Sequence, residues 1–203
     1  MLARILAFAV AVLALASVSA QYVALLDPVA TQPVLDKLWF MAGYFTILTN
    51  LAVAAHMLAV TRGWQIGASR AAGLLVAIVV VFLIYHAVLA GLWQPQGLAW
   101  WANQGLHTAV PLATFGWWLA FAPKDVTLRD LPEWLIYPAA YSLYALIRGF
   151  WTGFWPYPFL DVGQLGLAQV SLNIAGLIVV YILVGLPVAF ATPISTALRR
   201  LSR

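Results

Sequence analysis

A cluster of hydroxyl and amide side chains, Tyr44-Phe45-Thr46-Ile47-Leu48-Thr49-Asn50, lies inside an apolar run from about Leu38 to Val60. Thr46, Thr49, Asn50, Val53 and His56 recur at i, i+3, i+4, i+7 and i+10, so on a helix they share one face. In hydrocarbon such a face must look at other protein groups or at a water-filled cavity. Its plain use is hydrogen bonding between helices. Its chemical use is nucleophilic: a threonine hydroxyl attacks a carbonyl once a neighbouring base takes its proton. A neutral histidine does this near pH 7, and His107 is the candidate base for Thr46. Pro111 follows four residues after His107 and denies that carbonyl its helical donor, so a kink is expected there. A kink and a free carbonyl beside an imidazole favour a local cavity.

The elements that position these residues follow from composition. The chain has 203 residues, 65% hydrophobic and 8% charged, with a mean hydropathy of +0.95. Soluble domains carry about 25% charged residues, so the reading is a single integral membrane domain over the whole chain. Ten Trp and eight Tyr suit interfacial belts. The net charge of +4 is spread over short loops, which signals orientation and leaves no basic face for nucleic acid. With no cysteine there is no disulfide framework, thiolate metal site or cysteine nucleophile. No metal site or cofactor is called for.

Apolar runs predict an all-α, polytopic membrane bundle of six transmembrane helices, at about 5–26, 38–60, 71–93, 100–121, 134–152 and 167–191. Arg4, a short apolar core and Val18-Ser19-Ala20 resemble a signal peptide, but the run continues to Leu26 and reads as an uncleaved first helix closed by Asp27-Pro28. Gln94-Pro95-Gln96-Gly97 is a turn signal. With six spans, Arg4, Arg62, Arg70, Lys124, Arg129, Arg199, Arg200 and Arg203 all fall on one side. Only Lys37 and Arg148 lie toward the other, so both termini are placed in the cytoplasm.

At 1.5 Å per residue, Thr46 then lies roughly 12 Å and Asn50 roughly 18 Å from the outer end of the second span. His86 comes at roughly 10 Å, His107 at roughly 6–10 Å, Arg148 at roughly 6 Å, and Gln169 with Asn173 at roughly 3–9 Å. Polar groups from five helices are thus expected in one outer-leaflet layer, with His56 outside it near the cytoplasmic end. Each has a structural use: a histidine bonds a neighbouring carbonyl, Arg148 snorkels or pairs with Asp161, and Tyr137, Tyr141 and Tyr144 pack with satisfied hydroxyls. Two non-hydrolytic readings also stand. One is a haem-binding bundle with His86 and His107 as the paired ligands. The other is a lipid-binding or transport protein in which Arg148 holds a head group or small anion. Unbroken helices and the lack of a repeat weigh against a transporter.

Asn103-Gln104-Gly105-Leu106-His107-Thr108-Ala109-Val110-Pro111 resembles the Asn-x-x-x-His-Thr-x-Val segment of the androgen-induced protein family, which includes the androgen-dependent TFPI-regulating protein. Thr152-Gly153-Phe154-Trp155-Pro156-Tyr157-Pro158-Phe159-Leu160-Asp161 resembles its Thr-Gly-x-Trp-x-Tyr-Pro-Phe-Leu-Glu segment, and Tyr44-Phe45-Thr46 its Tyr-Leu-Thr element. Order and spacing agree over roughly residues 35 to 190. The likeness is closer to small bacterial six-span relatives, through Tyr85-His86, Trp93-x-Pro95-Gln96-Gly97 and Ile147-Arg148-Gly149. The resemblance implies an intramembrane hydrolase of fatty acyl esters, with Thr46 as nucleophile and His107 as base. It also implies a bacterial inner-membrane location and a membrane-lipid substrate. Asn50, His86, Arg148 and Asn173 are the candidates for substrate contact or for stabilising an oxyanion. This chain departs from the pattern at Asp161, where the family has Glu, and at Pro111, which follows Val110 directly. It also lacks the His-rich stretch before Thr-Gly.

Overall fold

The computed structural model describes residues 1–25 and 33–191. Asp27-Pro28 and the basic tail with Arg199, Arg200 and Arg203 lie outside the described residues. Among the described residues the fold is helical throughout, without strands. The chain divides into two compact units, Met1–Pro123 and Lys124–Arg203.

The first unit opens with α1 (Leu2–Ala24). Its pattern is the reverse of a soluble helix. Ala7, Ala11, Ala14 and Ser17 are buried, while Leu2, Ile5, Phe8, Val12 and Leu15 point outward. Small residues inward and large apolar residues outward let backbones approach closely and leave the bulk to lipid. The next helices are α2 (Val34–Met41), α3 (Phe45–Thr61) and α4 (Ala68–Ile84). A π-helical turn, Tyr85–Leu89, extends α4. A second helical run joins α5 (Gly97–Gln104), a π-helical turn at Gly105–Ala109, and α6 (Val110–Phe121). α1 packs against α3, α5 and α6, and α4 against α3 and α6. Ala72, Leu75, Val76, Ala77 and Ile78 bury more than one face of α4.

Gly105 is where α1 comes closest to the second run: a Cβ there would sit 2.1 Å from Ser17 Oγ and 2.8 Å from its Cβ. Gly105→Leu is therefore expected to push α1 away and cost about 1–3 kcal/mol. A lowered melting temperature in detergent checks this, and an unchanged one would mean that α1 packs elsewhere.

The second predicted span is corrected. The apolar run 38–60 is broken between Met41 and Phe45, and α2 and α3 meet at 92°. Gly43 N–H bonds Phe40 O and Tyr44 N–H bonds Met41 O, each at 3.0 Å. These tight three-residue closures end α2. Tyr44 then takes extended dihedrals, φ −97 and ψ 126, so α3 starts afresh at Phe45. Met41-Ala42-Gly43-Tyr44 carries no proline and no charge, so the apolar run is read straight through it. Thr46 accordingly stands in the first turn of α3, not roughly 12 Å down a continuous helix. α2 has the inverted pattern of α1: Lys37 is 6% exposed while Leu35 is 76% exposed.

Three helical stretches are long and apolar enough to cross a membrane: Leu2–Ala24, Ala68–Leu89 and Val162–Ala189. The bent pair α2–α3 makes a fourth if counted as one span. The run Gly97–Phe121 has the length, but Asn103, Gln104 and His107 lower its hydropathy.

The second unit is built on α7 (Leu131–Thr152) and α8 (Val162–Ala189), preceded by a 3₁₀ turn at Leu128–Asp130 and separated by another at Pro158–Leu160. Gly153 closes α7 in the left-handed conformation, φ 72. Gly166, φ 76, breaks α8 after its first turn.

Candidate functional site

The site is assembled by the two π-helical turns and the start of α3, all in the first unit. In the π register Val110 N–H bonds Gly105 O, five residues back. The donor that Leu106 O would then meet belongs to Pro111, which has none. Asn50 supplies it from α3: its Nδ2 donates to Leu106 O at 3.2 Å and to Thr46 O at 2.8 Å. Pro111 is also the residue four after His107, where the sequence places a missing donor; the wider turn adds Leu106 O to the carbonyls that proline cannot serve. Asn50 is 0% exposed, and its Oδ1 is buried without a hydrogen-bond partner among the described residues. An amide flip would set that oxygen against two carbonyls, so the observed orientation is the one the surroundings allow.

This staple aligns α3 with His107. Thr46 Oγ1 lies 3.3 Å from His107 Nε2. His107 Nδ1 lies 3.1 Å from the main-chain oxygen of Asn103. A carbonyl only accepts, so Nδ1 carries the proton and, in the neutral ring, Nε2 is the acceptor. Thr46 O–H therefore donates to Nε2. That is the tautomer a general base needs, fixed here by a backbone carbonyl where a Ser-His-Asp triad uses a carboxylate. Thr46 is buried and His107 half-buried. Thr46 stands in the first turn of α3, at the positive end of its dipole.

His86 makes a second, different pairing. Its Nε2 is 3.0 Å from Thr108 Oγ1, and Thr108 in turn donates to Gln104 Oε1 at 3.3 Å. A hydroxyl has one proton, so His86 is the donor in its pair. Two threonine–histidine contacts thus stand side by side with opposite polarity, and the His86 contact ties the π turns together.

The other sequence candidates belong to the second unit. Arg148 is buried, its Nη1 donates to Tyr144 Oη at 3.0 Å, and its guanidinium lies 4.8 Å from the Phe154 ring centroid. Asn173 Nδ2 donates to Phe159 O at 2.8 Å, and its Oδ1 accepts from Gln169 at 2.9 Å. Asn173 so braces the inter-helix segment. Asp161 is the N-cap of α8, accepting from Gln164 N–H at 3.0 Å. A side chain one methylene shorter than Glu suits this place. Asp161→Ala is expected to cost about 0.5–2 kcal/mol, and Asp161→Asn far less because the amide oxygen caps equally well. Thermal melts of the two variants check this; equal losses would point to an ion pair with Arg148 instead.

Sequence reasoning missed two members of the site. In the sequence Asn103 and Tyr85 stand out only as parts of recurring segments, yet the carbonyl of Asn103 orients His107 and the Tyr85 ring stacks on it at 4.0 Å. Among the described residues no group of three or more His, Cys, Asp or Glu is placed to hold a metal ion. Comparison of the chain with protein-family models, with curated proteins and with solved structures gives no match.

Proposed function

We propose that this protein is an intramembrane hydrolase of fatty acyl esters, with Thr46 as nucleophile and His107 as general base. The observation that carries the reading is the Thr46 Oγ1–His107 Nε2 contact, with the imidazole tautomer set by the Asn103 carbonyl. The resemblance of Asn103–Pro111 and Thr152–Asp161 to the androgen-induced protein family supports it. Six crossings of a bacterial inner membrane, with both termini in the cytoplasm, are part of the same reading and rest on the apolar runs, the Lys/Arg asymmetry and the same family resemblance. Gly97–Phe121 and Leu131–Thr152 are the two less apolar spans, and the α2–α3 pair is a broken one.

The reaction runs in two halves. His107 Nε2 takes the Thr46 proton as Oγ1 adds to the ester carbonyl. The tetrahedral oxyanion forms near the N-terminus of α3, whose dipole favours negative charge. The C–O bond to the alcohol breaks, and the imidazolium protonates the departing oxygen, leaving an acyl-threonine. A water molecule, deprotonated by His107, adds to that ester. Its collapse releases the fatty acid and returns the proton to Thr46. Asn50 serves as alignment in this scheme, because both its amide hydrogens are taken by carbonyls. His86 Nε2 is likewise engaged, with Thr108. Both engagements weigh against Asn50 and His86 as oxyanion donors. That each imidazole Nε2 faces a threonine hydroxyl also weighs against the haem reading.

Fluorophosphonate labelling of membranes carrying the wild type, Thr46→Ala and His107→Ala tests the assignment. Labelling of the wild type alone supports it. A well-folded wild type that takes no label favours a non-catalytic lipid-binding protein, which would carry lipid through purification.

A further inference from the structure

Tyr85 occupies the first position of the π turn that ends α4, and His86 the next. Both reach the facing π turn: Tyr85 meets His107, and His86 meets Thr108. On a regular helix, successive side chains diverge by about 100°. Two successive residues here contact two successive residues opposite, and both pairs fall within π turns. The Tyr85 and His107 rings are nearly parallel, at 22° with centroids 4.0 Å apart. The Tyr85 hydroxyl accepts a hydrogen bond from Asn103 Nδ2. Asn103 is buried, and its own carbonyl is the acceptor for His107 Nδ1. One tyrosine therefore holds the imidazole twice, by its face directly and by its hydroxyl through Asn103.

We infer that Tyr85 is the positioning residue of His107, taking the place that an acidic residue holds in a triad. The inference rests on the catalytic reading of Thr46 and His107. When His107 accepts the Thr46 proton the ring becomes a cation. A cation over the face of a phenol ring is stabilised by the ring quadrupole, more so away from water. The stack also fixes the plane in which Nε2 meets Oγ1. The Asn103 carbonyl is placed by its own helical run four residues before His107, and the hydroxyl bond adds a lesser tie to that segment. No proton leaves or enters Tyr85. The whole transfer is from Thr46 Oγ1 to His107 Nε2 and on to the leaving oxygen.

The test uses the full-length protein in membranes and in detergent, with Tyr85→Leu, Tyr85→Phe and Thr46→Ala. For Tyr85→Leu the maximal rate of fluorophosphonate labelling should fall about tenfold or more while the concentration for half-maximal rate stays near that of the wild type. Tyr85→Phe keeps the ring and should recover most of that rate. A purely structural role would not separate the two parameters. In parallel, ¹⁵N-histidine spectra, with His107 assigned by its absence in His107→Gln, should show one neutral tautomer protonated at Nδ1 in the wild type and Tyr85→Phe. Tyr85→Leu should show averaged tautomers. If Tyr85→Leu does not fold, Tyr85→Met fills the space without a ring and should give the same two results. Wild-type labelling by the ringless variant, or a single unchanged tautomer in it, overturns the inference. Labelling that survives in Thr46→Ala overturns the catalytic reading instead. Should the wild type itself take no label, the spectra still decide the role of Tyr85.

Discussion

Thr46→Ala is expected to bring ester hydrolysis down to background, a loss of about 10³-fold or more in kcat/KM. The hydroxyl is the bond-forming atom in the scheme, and it is the group that meets His107 Nε2. The fold should survive. Removing one hydrogen bond costs about 0.5–1.5 kcal/mol, and a buried alanine leaves only a small gap. Thr46→Ser keeps the nucleophilic oxygen and should retain part of the rate, because the helix start and His107 remain as they are. His107→Ala should match Thr46→Ala, since residues that act as one unit lose their effects together and not additively. Turnover of a fatty acyl ester by purified variants, beside their melting temperatures, checks all three. Retained turnover in Thr46→Ala would return this face of α3 to ordinary helix–helix bonding.

Asn50→Leu is expected to cost about 1–3 kcal/mol, because it leaves Leu106 O without a donor: Val110 N–H is taken by Gly105 O and Pro111 has none. Thr46 O is less affected, since it stands where α3's own ladder bond falls. Asn50→Asp should be worse than Asn50→Leu, as a carboxylate would face the same two carbonyls without a proton to give. The defect sits one residue from His107, so hydrolysis should fall along with stability in both variants. Melting temperature and kcat measured together check this. An aspartate variant as stable as the wild type would mean that the amide is not the donor that holds the second π turn.

Both predictions depend on features that differ in how far the sequence foretells them. The helical class and the membrane setting were legible, because they rest on composition and on runs of apolar residues, which are local properties. The pairing of Thr46 with His107 was legible only as chemistry, a hydroxyl and an imidazole of suitable type, with no means of measuring their separation. Several details were not legible at all. Met41-Ala42-Gly43-Tyr44 reads as continuous hydrocarbon, yet the chain turns by 92° there, because backbone closure and not hydropathy ends α2. The π turns leave no mark in a 3.6-residue pattern, since one inserted residue shifts register without changing residue type. Proline at 111 did announce a missing donor. That Leu106 O also goes without a helical donor depended on that hidden register, and the donor that serves it came from 56 positions away.

What the sequence by itself determined is therefore the solvent and the reagents: a chain too apolar for water, with a threonine, a histidine and amides in its helices. Tertiary structure alone decided the acid–base polarity. A histidine acts as base or donor according to what its other nitrogen meets, and that partner is a carbonyl or ring brought up by packing. His107 Nδ1 faces the Asn103 carbonyl with the Tyr85 ring against its plane, whereas His86 faces a hydroxyl already committed to Gln104. Two residues of the same type, 21 apart in sequence, so take opposite roles for a reason that exists only in three dimensions.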